Sequence, residues 1–234
     1  MKSVCIITAR GGSKRIPRKN IRMFCGKPII AYSIEAALGC GLFDEVMVST
    51  DDDEIADIAI GYGAAVPYMR SGETSNDFAT TSDVIREVLS SYGADGRCFD
   101  SFFCVYPTAP FVTSERLKEA FGKLEEGADS VVSVVQFSFP PQRGLLVKDG
   151  SLVYEYPEYQ FTRSQDLAPV FHDAGQFYGC RTEAFQSENT LFAGLCKPVV
   201  LPESEVQDID TEEDWILAEL KYKRMKNEQV ELLS

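Results

Sequence analysis

Apolar positions along the first half of the chain alternate between two rhythms. Ser3–Thr8, Glu45–Ser49, Phe102–Tyr106 and Ser130–Val135 are short, near-continuous apolar runs, the pattern of strands covered on both faces. Ala65–Tyr68 is a shorter run of the same kind. Helical spacing fills the intervals. Lys27–Leu38 puts Ile30, Ile34, Ala37 and Leu38 on one face, with Pro28 in the first turn. Asp52–Tyr62 opens on carboxylates, which suit a helix start. Thr81–Tyr92 carries Val84, Ile85, Val88 and Leu89, and Ser114–Leu124 is the fourth such segment. Strands alternating with helices imply an α/β protein with a doubly wound, mostly parallel sheet.

After Gln136 the rhythm breaks. Residues 137–175 are rich in proline, aromatic and polar residues. Within them "VKDGSLVYEY" (147–156) sets a D-G turn between β-prone arms, a hairpin signal. "CKPVVLP" reads as a further strand. Thr211–Lys226 reads as a helix with Thr211 as N-cap and Asp214 three residues on. The chain is therefore expected to be a single domain, 1–234, with residues 137–175 as a hairpin-bearing insertion. Such an insertion either covers a site or pairs with a partner subunit.

Composition narrows the classes. With 234 residues, 44% of them hydrophobic, the chain can bury a sizeable core. A net charge of −13 argues against a nucleic-acid surface. No apolar run reaches membrane-span length, and Val4–Ile7 is too short for a leader, so the expectation is a cytoplasmic protein. Seven cysteines form no CxxC pair and are odd in number, which suits reduced packing residues. His172 is the only histidine, which excludes a three-histidine metal site.

Against this acidic background, "TARGGSKRIPRKN" (8–20) holds five basic residues in thirteen, directly after the first strand. Open α/β sheets bind ligands at the carboxyl ends of their strands. Gly11 and Gly12 let backbone approach a ligand, and Arg10, Lys14 and Lys19 supply positive charge. This is chemistry for a polyphosphate. The loop has neither the GxxxxGK[ST] nor the GxGxxG spacing, so a Walker site and a nicotinamide or flavin site are unsupported. A bare "RGGSK" would read equally well as a solvated turn.

Near the other end, Asp208 and Asp210 flank Ile209. In extended backbone both carboxylates point one way and Ile209 the other. Two hard oxygen ligands joined by phosphate oxygens and water suit Mg²⁺. The competing reading is an acidic helix start. The Asp51-Asp52-Asp53 run reads as a strand-to-helix junction.

"ARGGSKRIPRKNI", "GKPII", "VSTDDDEIADIA" (48–59), "PTAP" (107–110), "RSQDL" (163–167) and "DIDTEEDW" (208–215) together resemble the acylneuraminate cytidylyltransferases, the CMP-sialic acid synthetase family, over nearly the whole chain. The resemblance implies a nucleotide-diphospho-sugar transferase-like fold and a homodimer built through residues 137–175. It implies transfer of CMP from CTP to the anomeric hydroxyl of an acidic nine-carbon sugar, with Mg²⁺ and release of pyrophosphate, in glycan biosynthesis. Within the family the chain is most similar to the branch acting on pseudaminic acid. Sialic-acid members usually carry glycine where Arg15 stands and glutamine where Tyr106 stands, and "RSQDLAPVFHDAGQFY" (163–178) also has the pseudaminic character.

Carried over residue by residue, the resemblance makes Arg10, Gly11, Gly12, Ser13, Lys14, Lys19, Asn20, Arg70 and Thr80 the expected CTP contacts. Thr80 is equally readable as a helix N-cap. Arg10, Lys14, Lys19, Asp208 and Asp210 are the expected catalytic residues, and the two aspartates the expected metal ligands. Tyr106, Arg143, Arg163, Gln165, His172, Gln176 and Tyr178 are the expected sugar contacts. Among them the Arg163 guanidinium suits a substrate carboxylate, and His172 reads equally as a structural group. Two alternatives stay open: the same reaction on N-acetylneuraminic or legionaminic acid, and a nucleotide-binding regulatory module without catalysis. The acid pair, which binding alone does not require, separates the second from an enzyme.

Overall fold

The computed structural model describes residues 1–233 and the side chains of residues 1–227; residue 234, the last of the expected domain, lies outside the described residues. Ten strands and six α-helices follow one another: β1 (Ser3–Thr8), β2 (Met23–Phe24), β3 (Lys27–Pro28), α1 (Ile29–Cys40), β4 (Glu45–Ser49), α2 (Asp53–Gly61), α3 (Thr81–Ala94), β5 (Ser101–Val105), α4 (Ser114–Glu125), β6 (Ser130–Gln136), β7 (Leu145–Lys148), β8 (Ser151–Tyr154), β9 (Phe171–Arg181), α5 (Thr182–Glu188), β10 (Cys196–Leu201) and α6 (Glu212–Leu233).

Six strands form the central sheet in the order β10-β6-β9-β5-β1-β4. β4 and β5 run parallel to β1 on its two sides, and β10 runs parallel to β6. Alternate strand residues feed two cores. Cys5 and Ile7 face α1, α2 and α4, whereas Val4 and Ile6 face α3 and α5. The chain thus leaves β1 to one side over one face and returns to its other side over the opposite face. That is the topological switch point at which such sheets bind ligands.

Helix starts follow local chemistry. Asp52 caps α2 by accepting from Ile55 N, Thr80 and Asp83 form a capping box on α3, and Thr113 caps α4. Thr211 and Asp214 exchange the same reciprocal bonds ahead of α6. Several elements differ from the sequence expectation. Pro28 lies in β3, just before α1 rather than inside it, and Leu38 is exposed. The expected strand at 65–68 is reduced to a single bridge between Met47 and Ala65. All seven cysteines are free as expected, but Cys98 is exposed rather than packed.

The largest departure is β9, which pairs antiparallel with both β5 and β6 in the middle of an otherwise parallel sheet. From Ala174 to Cys180 it is buried on both faces apart from half-buried Gly175. Its pairing with β6 bulges: Asp173 to Tyr178 on β9 faces only Val132 to Val134 on β6. Gly175 turns the bulge at φ +63°, a conformation costly for any other residue. Ser133 fills the gap, accepting from Phe177 N at 3.1 Å and donating to Phe177 O at 3.0 Å.

A third, smaller core joins Ile16, Phe24, Ile29, Tyr32, Phe111, Ile209, Trp215 and Ala218. It fastens the basic loop after β1 to the segment entering α6, nearly two hundred residues away. Arg22 reinforces the join, lying 4.5 Å over the Trp215 ring and bonding Glu212 at 2.6 Å. Among the described residues no helix is long and apolar enough to cross a membrane.

Candidate active site

Two cavities open at the carboxyl ends of β1, β5 and β6 and share Tyr106 and Thr108. The larger, about 530 Å³, is lined by Arg10, Ser13, Lys14, Arg15, Lys19, Asn20, Arg70 and Thr80 among others. The smaller, about 350 Å³, is lined by His172, Asp173, Gly175, Glu203, Asp208 and Lys221 among others. A still larger concavity of about 910 Å³ lies at the opposite end of the sheet, beside Met1, Phe99 and Asp100. Its arginines are already engaged, Arg97 by Glu45 and Arg181 by the carbonyls of Leu124 and Ala128. We therefore place the chemistry at the shared pair of cavities.

The basic loop is held from below by buried groups. Ile16 anchors it in the third core. Asn20, also buried, donates to the Arg10 carbonyl at 2.8 Å. Gly11 N donates to Asp51 at 2.9 Å, and a Cβ on Gly11 would stand 2.6 Å from the Asp52 carboxylate. That close approach to the acidic junction is what requires a glycine there; neither Gly11 nor Gly12 lines the cavity. Arg18 pairs with Asp52 and Glu54, and that pairing holds the Asp52 carboxyl below its ordinary range.

The remaining cations point at the cavity and meet acids from elsewhere. Arg10 and Lys14 both pair with Asp77, Arg10 at 2.8 Å, and Arg10 also reaches the Asn76 carbonyl. Lys14, then Arg10, lowers the Asp77 pKa. Arg15 bonds Asp210 at 2.7 Å, and Lys19 bonds the Ile209 carbonyl at 2.7 Å with the Asp210 carboxylate 3.7 Å away. Arg70 is buried against Ser49 at the end of β4, and that burial lowers its pKa. Thr80 caps α3 as the sequence allows, and it also lines the same cavity.

The acid pair has the alternation its sequence suggests: Ile209 is buried, Asp208 is exposed and Asp210 is half-buried. Asp208 lines the smaller cavity, and Asp210 faces the basic loop. The described residues contain no cluster of three or more acidic, histidine or cysteine side chains arranged for a metal. The donor set is two hard carboxylates beside a cationic loop, which fits a divalent cation held jointly with phosphate oxygens.

The expected sugar contacts divide. Tyr106 stands between the cavities, its hydroxyl 3.2 Å from Thr81 and its ring against Tyr178. Burial raises its pKa. His172 lines the smaller cavity with its ring against Phe137. Gln176 and Tyr178 are buried and line neither cavity. Gln176 donates to the Glu205 carbonyl, and the Tyr178 hydroxyl donates to Asp173 at 2.5 Å. The bulge turns those two side chains inward and presents Asp173 instead. Arg143, Arg163 and Gln165 lie outside both cavities on the exposed 137–175 segment, where Arg143 donates to Ser164 and Arg163 pairs with Asp166. Asp77 and Lys221 also line the cavities, and no local pattern marks them, since Asp77 sits in a stretch without periodicity and Lys221 on a helix flank; Asp173 lines the smaller cavity and lies within the 163–178 stretch but carried no assigned role.

The cytidylyltransferase family model matches residues 4–211. The chain belongs to this family. Over 225 residues, 95% of this chain and 97% of the other, it is 41% identical to the pseudaminic acid cytidylyltransferase of Campylobacter jejuni. It is 36% identical over 230 residues to the CMP-N,N'-diacetyllegionaminic acid synthase of Legionella pneumophila, covering 94% of this chain and 95% of that one. A CMP:2-keto-3-deoxy-manno-octonic acid synthetase solved with CTP superimposes with a TM-score of 0.67 at 19% identity, covering 97% of this chain and all of that one, and so shares the fold.

Proposed function

We propose that this cytidylyltransferase transfers CMP from CTP to the anomeric hydroxyl of pseudaminic acid and releases pyrophosphate. The observation that carries the reading is the pair of adjoining cavities: one is ringed by the loop cations, the other lies beside Asp208, and Tyr106 and Thr108 form their common wall. The degree of identity to the Campylobacter enzyme, above that to the Legionella one, supports the choice of sugar.

The triphosphate would lie on Arg10, Ser13, Lys14 and Lys19, with Asn20, Arg70 and Thr80 toward the nucleoside. The sugar hydroxyl attacks the α-phosphorus and gives up its proton to solvent, a new P–O bond forms, and the bond to the β-phosphate oxygen breaks. Arg10 and Lys14 stabilise charge gathering on the departing pyrophosphate. Asp208 and Asp210 would hold Mg²⁺, which when bound offsets phosphate charge. To hold it, Asp210 would give up its bond with Arg15.

Asp77 bonds the Arg10 and Lys14 groups that phosphate takes in this scheme. Asp77→Asn removes that competitor, so its affinity for CTP rises about 3- to 10-fold, measured by titration calorimetry without sugar. An unchanged or weaker affinity would mean that Asp77 orders the loop rather than competing for it.

We further propose a homodimer formed through residues 137–175. Phe139, Val147, Leu152 and Phe161 are all strongly exposed there, and β7 and β8 pair only with each other. Apolar surface of this kind marks an interface. Arg143, Arg163 and Gln165 would then serve the neighbouring copy's sugar.

The deciding experiment is pyrophosphate release from CTP against pseudaminic, legionaminic and N-acetylneuraminic acids. Pseudaminic acid is expected to give the highest kcat/KM. Good turnover of another acid with none of pseudaminic acid overturns the choice. CTP binding with no sugar-dependent release favours a regulatory module.

A further inference from the structure

We infer that Lys221 binds the carboxylate of the acid sugar; the inference rests on the proposed reaction and names the residue that reads the substrate's charge. Among the residues lining the smaller cavity, Lys221 is the one permanent cation, in a wall otherwise supplied with the carboxylates Asp173, Glu203 and Asp208. A wall of that sign repels an anionic sugar unless a cation faces it.

The position of Lys221 is set by packing. Trp215, Ala218 and Tyr222 turn one stripe of α6 into the third core. Lys221 falls on the flank of that stripe and is half-buried. Its Nζ donates to the carbonyls of Val206 at 2.8 Å and Glu203 at 3.3 Å. An ammonium has three N–H groups, so one donor remains for the cavity.

Among the described residues its charge has no acidic partner. Arg10, Lys14, Arg15, Arg18, Lys19 and Arg22 each sit within 4.0 Å of a carboxylate, whereas among the described residues Lys221 forms no ion pair. Two carbonyls fix its direction without neutralising it. A half-withdrawn cation that is oriented but unpaired is a site for an anion. In this cavity that anion is the carboxylate that distinguishes a nonulosonic acid from a neutral sugar. Arg163, the sequence-based choice for this task, does not line this cavity in its own chain and is paired there with Asp166.

The test is a cycle that removes the charge from each side. Pyrophosphate release is measured for the wild type and Lys221→Gln, each with pseudaminic acid and with its C1 methyl ester. Lys221→Gln is expected to lose about 10- to 100-fold in kcat/KM for the acid, through KM for the sugar, with KM for CTP unchanged. The ester should cost the wild type a similar factor, and Lys221→Gln with ester should lose no more than either change alone. Lys221→Arg should restore part of the loss. A purely structural tether predicts losses that multiply and a fall in CTP affinity as well. Multiplying losses, or a wild type that accepts the ester as well as the acid, overturn the inference whether or not the variant folds. A wild type that turns over no nonulosonic acid overturns the functional reading, and this inference falls with it. Turnover of the acid with Lys221→Gln unaffected overturns this inference alone.

Discussion

Asp210→Ala is expected to lower kcat/KM for pyrophosphate release by on the order of 10³-fold while leaving thermal unfolding nearly unchanged. The side chain sits where the two halves of the site meet, bonded to Arg15 at 2.7 Å and 3.7 Å from the Lys19 ammonium. Removing it takes away one of the two carboxylates proposed to hold a divalent cation. It also leaves Arg15 without its acid. The fold does not depend on it: Ile209 is the buried member of the triplet, and the start of α6 is capped by Thr211 and Asp214. Asp210→Asn separates the two effects, because it keeps the shape and removes the charge. Both variants should need more Mg²⁺ than the wild type for half-maximal rate. Activity within about threefold of wild type at every Mg²⁺ concentration would remove Asp210 from the metal site.

Arg10→Ala is expected to lower kcat/KM for CTP by about 10²- to 10³-fold. The affinity for CMP should barely change. Arg10 leaves the strand end with its backbone carbonyl held by buried Asn20, so its guanidinium is aimed by the fold rather than by chance. Beside it, Lys14 approaches the same Asp77 carboxylate, which brings two positive groups to one point. The outer phosphates, absent from CMP, are what such a pair would grip. Measuring both ligands makes the assignment testable: an equal fall in CMP and CTP affinity would place Arg10 at the nucleoside instead. The CTP effect should also shrink as salt rises, since the Arg10 guanidinium is partly exposed.

Much of this arrangement was legible one segment at a time. The strand β1, the basic loop after it, the capped starts of α2, α3 and α6, and the D-G hairpin are each written within a dozen residues. Their signals are local periodicity, side-chain caps and turn chemistry, which act over a few residues and can be read there. β9 was not legible, because an antiparallel strand in a parallel sheet is decided by which neighbours remain unpaired after the other strands have docked. Gln176 and Tyr178 followed from that error of context. Their residue types suit a sugar, but the bulge at Gly175 reverses which neighbours face the cavity.

By itself the sequence determined the α/β alternation, the cationic loop at a strand's carboxyl end and the spacing that puts Asp208 and Asp210 on one side of Ile209. These depend on backbone geometry that repeats every two or every 3.6 residues. Only the tertiary structure decided that Ile16 and Ile209 share a core, and so that the loop and the acid pair stand side by side. Only it turned Lys221 toward the neighbouring cavity, held by two carbonyls and, among the described residues, by no acid. Contacts between residues nearly two hundred positions apart depend on which apolar faces meet when helices close over the sheet, and no local pattern carries that information.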